Sequence, residues 1–378
     1  MNHGKMICFF WLSALFLLTG SASASLPLQT LHVPSGFSIS IFSNDVDNAR
    51  QMALGDQGTL FVGSRRAGNV YALVDTNQDG SADQHFIIAS SLTMPSGVAF
   101  RNGTLYVAAV NKLYAFENIE ANLRHPNKRV IENRLPDRRH HGWKYLKFIT
   151  NEELVIPVGM PCNVCLSRKP IFGTLQRYNL KSQRFTTLAT GVRNSVGFDI
   201  DPVSGEFWFT DNGRDRMGDD LPPDELNRIQ HPGQHFGFPY LHGRNIPDPV
   251  FAEYKPKILH LTPPILEIQA HSAPLGMTFY SSSQAKYSFP KKYHHGIFIA
   301  EHGSWNRSRK VGYQVIFVSP DRKLDTARAE PFVTGWLNER TQQAWGRPAD
   351  VLQLPDGSLL ISDDRAGAIY RITHTGNR

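Results

Sequence analysis

A strand–turn–strand pattern that recurs six times most constrains what this chain can fold into. Each copy begins with an apolar strand, turns at Gly or Asp, and continues into a second strand and a third that carries Tyr or Phe. The copies begin at Met52, Gly97, Tyr145, Val196, Leu275 and Asp350. Early copies follow one another at roughly 45 to 50 residues, which is the period of propeller blades. With no convincing long helix between them, the copies predict an all-β, six-bladed β-propeller.

The repetition also separates the propeller from a competing all-β architecture. A two-layer sandwich could carry similar strands, but recurring internal similarity favours a radial arrangement, because a ring of blades leaves few exposed sheet edges. The spacing stretches after the fourth copy, where residues 214–274 read as a long insertion. We therefore predict one propeller domain over residues 25–378 that includes this insertion.

The first 24 residues read as an export signal. Lys5 supplies the positive charge, residues 6–18 are almost unbroken apolar sequence, and Ala22–Ala24 forms a small-residue cleavage site. The apolar run is short for a membrane span, and no later stretch approaches that length. We expect cleavage after Ala24 and a periplasmic or secreted protein with no stable membrane span.

The chain is basic, with a formal charge of +7 that becomes +6 when the leader and its single lysine are removed. Such a charge favours anionic ligands and acidic partners. The lysines and arginines are scattered, and no recognised nucleic-acid-binding motif appears. Nucleic acid is therefore not an expected partner.

Two cysteines, Cys162 and Cys165, remain in the predicted mature chain. In an oxidising compartment this pair is most simply a local disulfide. A thioredoxin-like motif would need a βαβ context, haem attachment would need His where Leu166 stands, and zinc would need more ligands. The sequence therefore predicts a Cys162–Cys165 disulfide.

Polar residues gather just before the first strand of several copies. His140 and His141 precede the third copy, Arg193 and Asn194 the fourth, and Arg347 the sixth. Loops between blades converge at one mouth of the central channel, so these side chains are expected to meet there. A neutral imidazole could accept a hydroxyl proton, and arginines could hold carboxylates or polarise a carbonyl. We expect Arg193 to be an exposed channel side chain.

Other polar segments are further site candidates. The densest is Gly191–Ile229, where one arginine, several carboxylates and glycines fall at strand ends. Glu301–Arg307 follows an apolar strand, and its His302 could face the same channel. Asp75–Asp83 resembles a calcium loop, but Phe86 stands where the bidentate acid is expected, so a polar turn is favoured over a calcium site. No Gly-x-Ser-x-Gly elbow near the histidines supports a serine hydrolase.

Together these motifs resemble those of the pyrroloquinoline-quinone-dependent soluble aldose dehydrogenases, and most of all their L-sorbosone dehydrogenase-like branch. The motifs that carry the resemblance are His140–His141, Arg193–Asn194, Asp211–Gly213, Asp219–Asn227, Glu301–Arg307 and Trp345–Pro348. They occur in the family's order and cover nearly all of the predicted mature chain. The resemblance implies a six-bladed propeller, pyrroloquinoline quinone (PQQ) in the channel mouth, and Ca²⁺ on the cofactor.

The resemblance also implies roles in the reaction. A histidine of the pair His140–His141 would be the general base that takes the substrate's hydroxyl proton while hydride passes to the quinone. The register does not separate His140 from His141. Arg193 would polarise the reacting carbonyl of the quinone, and Asn194 would hold a neighbouring oxygen.

For the metal and the cofactor carboxylates, the resemblance implies a second set of residues. The backbone carbonyls of Gly213 and Arg214 would bind Ca²⁺, with Asp224 supporting their loop. Arg347 would bind a cofactor carboxylate. In the family's glucose-oxidising members a lysine stands at the position of His302, and a second arginine at that of Ala349.

The predicted function is that of an exported quinoprotein oxidoreductase. It would oxidise a sugar, aldose or related polyol by hydride transfer to PQQ and deliver the electrons to an external acceptor. One alternative is a Ca²⁺-dependent lactonase-type propeller, which would need side-chain carboxylates and Asn in the channel. Another is a non-catalytic propeller that binds a glycan or protein, and the fold alone does not decide among the three.

Overall fold

The computed structural model describes residues 26–281 and 284–376, together with Met1. Apart from Met1, the predicted export signal at residues 1–24 lies outside the described residues. Regular structure in the described part is almost entirely β, and six antiparallel sheets form the blades of a propeller, which confirms the predicted fold. The first strands of the blades contact one another around the central axis.

The blades follow the order of the sequence copies, and their strands are given from the first strand outwards. Blade 1 comprises Ala49–Leu54, Leu60–Ser64, Val70–Val74 and Gln84–Ala89; blade 2 comprises Gly97–Arg101, Thr104–Ala108, Leu113–Phe116 and Lys128–Glu132; blade 3 comprises Lys147–Phe148, Glu153–Val158, Thr174–Asn179 and Arg184–Thr190. Blade 4 comprises Phe198–Ile200, Phe207–Asp211, Asp224–Ile229 and Leu266–Ile268; blade 5 comprises Pro274–Phe279, Ile297–Glu301, Gln314–Asp321 and Thr326–Val333; blade 6 comprises Pro348–Gln353, Leu359–Asp363, Ala368–His374 and Phe37–Ser43.

Blade 6 joins the two ends of the chain. Its outermost strand, Phe37–Ser43, comes from the N-terminal side of the propeller and pairs antiparallel with Ala368–His374. The ring is therefore closed by backbone hydrogen bonds between distant parts of the sequence.

The stretch predicted as an insertion, residues 214–274, includes the third and fourth strands of blade 4. It also supplies a parallel fifth strand to blade 3, Gln234–His235, and a hairpin of Leu241–His242 with Ile246–Pro247. A second hairpin pairs Leu337–Asn338 with Gln343–Ala344. The 3-10 turns are Leu28–Thr30, Ile119–Ala121, Ala252–Tyr254 and Lys291–Tyr293. No helix within residues 26–281 and 284–376 has the length and hydropathy needed to span a bilayer.

The core lies between neighbouring blades, and this explains why the central strands read as continuous apolar runs. Every residue of Leu60–Ser64 and of Ile297–Glu301 is buried, because a blade packs a neighbour against each of its faces. Phe298 packs against Phe332 with ring centroids 4.6 Å apart, and both belong to the cluster between blades 5 and 6. Each such side chain contributes roughly 1.5–3 kcal/mol by burial.

Polar groups on the innermost strands bond to one another across blades. Gln51 Oε1 accepts hydrogen bonds from the backbone N–H of Val98 at 2.9 Å and of Leu146 at 2.8 Å. Its Nε2 donates to the Leu146 carbonyl at 2.7 Å. One buried amide thereby satisfies backbone groups of blades 2 and 3 from blade 1.

Asp350 makes the corresponding connection for blade 6. Its carboxylate accepts the backbone N–H of Met52 at 2.8 Å and the hydroxyl of Tyr145 at 3.0 Å. Burial raises the pKa of Asp350 to about 7, although these hydrogen bonds oppose the shift. We call Gln51, Asp350 and the groups they bond the inner-strand network.

Candidate active site

A cavity of about 210 Å³ lies at one end of the central channel. Arg193 and Asn194 precede the first strand of blade 4, and Arg347 precedes that of blade 6. Arg65 follows the second strand of blade 1, and His302 follows that of blade 5. Because the first two strands of a blade are antiparallel, the start of one and the end of the next lie at the same end of the propeller.

Most of the predicted site residues meet at this cavity. The predicted residues that line it are His141, Arg193, Asn194, Gly213, Asp224, His302 and Arg347. His140 and Arg214 are not among its lining residues. Lining residues to which the sequence assigns no role include Arg50, Arg65, Trp143, Asp215, His271 and Trp305.

Arg193 is only 4% exposed, so the expectation of an exposed channel arginine is wrong. Its Nε and Nη2 donate to the backbone and side-chain oxygens of Asn163 at 2.8 and 2.9 Å, and Nη1 donates to the Asn212 carbonyl at 3.1 Å. Nη2 also reaches Asp215 at 3.2 Å. The backbone N–H is fixed by Asp211 at 2.8 Å. The guanidinium is therefore held in one orientation by the protein itself.

The Cys162–Cys165 disulfide is present, with Cα atoms 6.2 Å apart, as the sequence predicts. Asn163, which holds Arg193, lies inside the ring that this disulfide closes. The cystine loop and the cavity are thus parts of one structure.

His141 lines the cavity, whereas the neighbouring His140 is exposed. Nδ1 of His141 lies 2.9 Å from the carbonyl of Met160, which can only accept, so this nitrogen carries the proton in the neutral ring. Burial and then the charge of Arg193 lower the pKa of His141 well below its ordinary value. A Cβ at Gly159 would lie 2.8 Å from the Cβ of His141, so only glycine allows this packing. The result is a neutral imidazole whose Nε2 accepts no hydrogen bond from residues 26–281 or 284–376.

His302 belongs to a charged cluster on another side of the cavity. Its Nε2 lies 2.8 Å from a carboxylate oxygen of Asp364. Asp364 also forms an ion pair with Arg50 at 2.6 Å. Burial alone would raise the pKa of Asp364, but Arg50 and His302 outweigh it and hold that pKa below its usual range. Burial also lowers the pKa of His302 to about 3, so its ring is neutral.

Arg347 is fixed by main-chain oxygens next to His302. Its Nε donates to the His302 carbonyl at 2.8 Å and its Nη2 to the Gly303 carbonyl at 2.5 Å. Gly303 has φ +93°, and a Cβ there would lie 2.3 Å from the ring of Tyr313. Glycine is therefore required for the carbonyl geometry that orients Arg347.

Arg65 differs from the other arginines because its guanidinium has no polar partner in the part of the chain that the structure describes. Its charged carbon lies 4.1 Å from the centre of the Trp143 ring, a cation–π contact. Burial and then the nearby Arg50 lower its pKa to about 10. The cavity thus contains a half-buried cation that forms no ion pair with a carboxylate of the described residues, although the charge of Asp364 partly offsets the lowering of its pKa.

Asp224 holds the loop that carries the predicted metal ligands. It accepts the backbone N–H of Gly213 at 2.7 Å and of Ala273 at 2.9 Å, and burial raises its pKa to about 7. The carbonyls of Gly213 and Arg214 accept no hydrogen bond from residues 26–281 or 284–376. The Arg214 side chain turns away from the cavity and pairs with Asp248 at 2.5 Å. No side-chain group of three His, Cys, Asp or Glu able to hold a metal occurs among the described residues.

Asp75–Asp83, the calcium-like loop of the sequence, lies outside this cavity. Asp75 accepts the backbone N–H groups of Asp79 at 3.2 Å and Gly80 at 2.8 Å, and Asp83 bonds to Thr76. Its carboxylates therefore stabilise the loop's own backbone, which is the arrangement of a polar turn.

The chain matches the TrAA12-like family over residues 31–245 and 258–375. An uncharacterised protein of Borreliella burgdorferi is 35% identical to it, with 96% of each chain covered.

Solved structures share the fold at low sequence identity. The calcium structure of a Trichoderma reesei carbohydrate-active enzyme of family AA12 has a TM-score of 0.75 at 19% identity, covering 91% of this chain and 97% of that one. The holo form of the PQQ domain of Coprinopsis cinerea pyranose dehydrogenase has a TM-score of 0.74 at 16% identity, with the same coverage. The apo form of the soluble aldose sugar dehydrogenase of Escherichia coli has a TM-score of 0.65 at 17% identity, covering 90% and 100%.

Proposed function

The chain belongs to the TrAA12-like family, and from this premise we propose that it is a PQQ-dependent dehydrogenase that oxidises a sugar or a related polyol. Similar structures include a PQQ domain in its holo form and a calcium structure, which makes PQQ and Ca²⁺ the ligands to test. Within this class we propose the L-sorbosone dehydrogenase-like branch, and this finer assignment rests on the sequence motifs alone.

The cationic lining of the cavity is the observation that carries the proposal. Arg50, Arg65, Arg193 and Arg347 all line it, and the Arg65 guanidinium forms no hydrogen bond or ion pair with the described residues. A half-buried cation without a partner costs free energy that an anionic ligand would recover. PQQ is a planar tricarboxylate, and the ring of Trp143 beside Arg65 adds an aromatic surface. The donor set therefore fits this cofactor.

Particular residues are assigned to particular parts of the cofactor. Arg65 and Arg347 would bind carboxylates, with His302 beside them, and Asn194 would bond a quinone oxygen. Arg193 uses one Nε–H, one Nη1–H and both Nη2–H groups on the protein, which leaves one of its five donors free to polarise a ligand oxygen. When bound, PQQ would supply the two-electron acceptor of the reaction.

His141 is proposed as the general base. Its protonated Nδ1 is committed to Met160, so Nε2 is the atom that would take the proton of the substrate hydroxyl. Its low pKa keeps the ring neutral and ready to accept at neutral pH. This choice favours His141 over the exposed His140, which does not line the cavity. His302 is the competing base, because its Nδ1 makes no hydrogen bond to the described residues.

Ca²⁺ is proposed to bind the carbonyl oxygens of Gly213 and Arg214. Neither oxygen has a hydrogen-bond donor within residues 26–281 or 284–376, and oxygen ligands suit this cation. Asp224 would hold the Gly213 end of the loop through its hydrogen bond to that backbone N–H. The metal would add positive charge where the cofactor's oxygens are expected.

We also propose that the reaction follows export and cleavage after Ala24, in the periplasm or outside the cell. The disulfide supports an oxidising compartment. Amino-terminal sequencing of the natively produced protein tests the cleavage, and a mature chain that retains residues 1–24 would contradict it.

Reconstitution tests the enzymatic proposal. Purified apo-protein is mixed with PQQ, Ca²⁺ and an artificial electron acceptor, and a panel of aldoses and polyols is screened for acceptor reduction. We expect turnover only with protein, PQQ, Ca²⁺ and a sugar or polyol together, and its loss after chelation. Hydrolysis of lactones with Ca²⁺ alone would instead support the lactonase-type alternative. Glycan binding without any turnover would support the non-catalytic one.

A further inference from the structure

A short segment of blade 3 contacts both groups to which the chemistry is assigned. Residues 159–165 follow the second strand of this blade, Glu153–Val158. Within the segment, Met160 fixes His141 through its carbonyl and donates its N–H to the Arg193 carbonyl at 2.9 Å. The proposed base, His141, and the cavity arginine, Arg193, are thus held by hydrogen bonds to the same stretch of backbone.

Asn163 is the most heavily bonded residue of this segment. Its carbonyl accepts Arg193 Nε at 2.8 Å, and its Oδ1 accepts Arg193 Nη2 at 2.9 Å and the Asp215 N–H at 2.8 Å. Its Nδ2 donates to the Asp215 carbonyl at 3.1 Å. One side chain and its carbonyl therefore join blade 3 to two cavity-lining residues of the loop system of blade 4.

The disulfide closes a ring around Asn163. Cys162 and Cys165 flank it at a sequence separation of 3, so the backbone between them samples far fewer conformations than an open loop would. Both hydrogen bonds to Arg193 require the carbonyl and the side chain of Asn163 to point in fixed directions. The covalent ring supplies that restriction in a segment that is partly exposed to solvent.

We propose that Asn163, constrained by the Cys162–Cys165 disulfide, is a positioning residue that orients the Arg193 guanidinium and the Asp215 loop at the cavity. The inference rests on the proposed function for its catalytic consequence, but the orientation itself is a property of the protein without ligand. It assigns to the disulfide a role at the site in addition to any contribution to stability.

The first test uses the apo-protein and needs no activity. Exchange of the Arg193 Nε–H with solvent is followed by NMR on protein with isotope-labelled arginine, with Arg193→Lys used to assign the signal. We expect exchange to be roughly tenfold faster in Asn163→Ala, which removes one hydrogen bond to the guanidinium and two to Asp215. The Cys162→Ser, Cys165→Ser double variant should show the same change. Val164→Ala, inside the same ring, is the control and should behave as wild type.

Exchange in Asn163→Ala equal to wild type would overturn the proposal. If the alanine variant does not fold, Asn163→Asp decides, since it retains the Oδ1 acceptor for Arg193. It should retain most of the exchange protection, while the double serine variant should lose it. Equal protection in these two variants would also overturn the proposal.

The second test uses protein loaded with PQQ and Ca²⁺. Asn163→Ala should weaken PQQ binding roughly tenfold, measured by fluorescence titration, with a smaller change in KM for the sugar than in kcat. Unchanged PQQ affinity and kcat in this variant would contradict the catalytic consequence. If wild-type protein shows no turnover, the proposed function fails, and the exchange comparison still decides the positioning role.

Discussion

The cavity and the inner-strand network lie on the same central channel, but they differ in whether their polar side chains have hydrogen-bond partners within the protein. In the network, Gln51 satisfies three backbone groups and Asp350 two donors, so each polar side chain is matched within the protein. In the cavity, Arg65 has no hydrogen-bond partner among the described residues, and the Nε2 of His141 is free. Matched polar groups hold the blades in register, whereas unmatched ones are available to a ligand.

Arg193 sharpens this comparison because it lies in the cavity but is bonded as completely as a network residue. Four of its five donors are used, one by Nε, one by Nη1 and two by Nη2. Its orientation is therefore set before a ligand arrives, while that of Arg65 depends more on the ligand. Orientation in advance lowers the cost of stabilising charge at the moment of reaction.

The largest effect is expected at the free imidazole of the cavity. His141→Gln should lower kcat for sugar oxidation by roughly 10²–10⁴, because the proton acceptor is lost, while PQQ binding survives. Stopped-flow reduction of bound PQQ measures the rate. His140→Gln, at the exposed neighbour, is the control. If His141→Gln retains turnover and His302→Ala abolishes it, the base is His302.

The inner-strand network should affect stability rather than ligand binding. Gln51→Ala leaves two buried N–H groups and one carbonyl without partners, so we expect a loss of about 3 kcal/mol in the free energy of unfolding. Urea denaturation gives this value, and Gln57→Ala, at an exposed glutamine, should stay within about 0.5 kcal/mol of wild type. A network variant as stable as its control would remove the distinction between the two regions.

Arg65→Ala should show the reverse pattern. Because its guanidinium has no polar partner to lose, only the cation–π contact with Trp143 is removed, and we expect the free energy of unfolding to change by no more than about 1 kcal/mol. The Kd for PQQ should rise roughly tenfold to a hundredfold, the loss of a charge-assisted contact to a carboxylate. Isothermal titration measures the affinity, with the exposed Arg66→Ala as the matched arginine. Unchanged affinity would place the cofactor carboxylates elsewhere.

The network should also show a pH dependence. Burial raises the folded-state pKa of Asp350 to about 7, from an unfolded value of about 3.9, so the folded protein binds the proton more tightly. This contribution to stability is present at low pH and is lost as pH rises between these two values. Asp350→Asn removes the titration, so its stability relative to wild type should rise from pH 4 to pH 7, a window of roughly three pH units. Denaturant titrations at both ends test this, and a constant difference would contradict it.

The sequence predicted much of the lining of the cavity because the repeat carries positional information. Arg193, Asn194 and Arg347 each precede a first strand, and the structure brings all of them to one cavity. His141 was predicted only as one of a pair, since one residue of register determines whether a side chain faces the channel or solvent. Its positive φ of 49° is a backbone feature that the residue types do not reveal.

Arg65 and Asp364 were missed, although they occupy a position that the repeat defines. Each follows the second strand of its blade, as His302 does in blade 5. Comparing that position across all copies would have selected them. By contrast, the contacts of Asn163 with Arg193 depend on how two loops meet in space, and neither composition nor spacing encodes such a meeting.

The pairing of Phe37–Ser43 with Ala368–His374 closes the ring, and we call it the seam of blade 6. It affects the order in which the molecule can be assembled. The strand Phe37–Ser43 must wait for Ala368–His374 before it can pair, so the ring stays open until nearly the whole chain has been made. Arg50 and Asp364 form an ion pair from opposite sides of that seam. Any ligand that contacts both blade 1 and blade 6 would therefore load only after Ala368–His374 has been synthesised, and not onto a shorter growing chain.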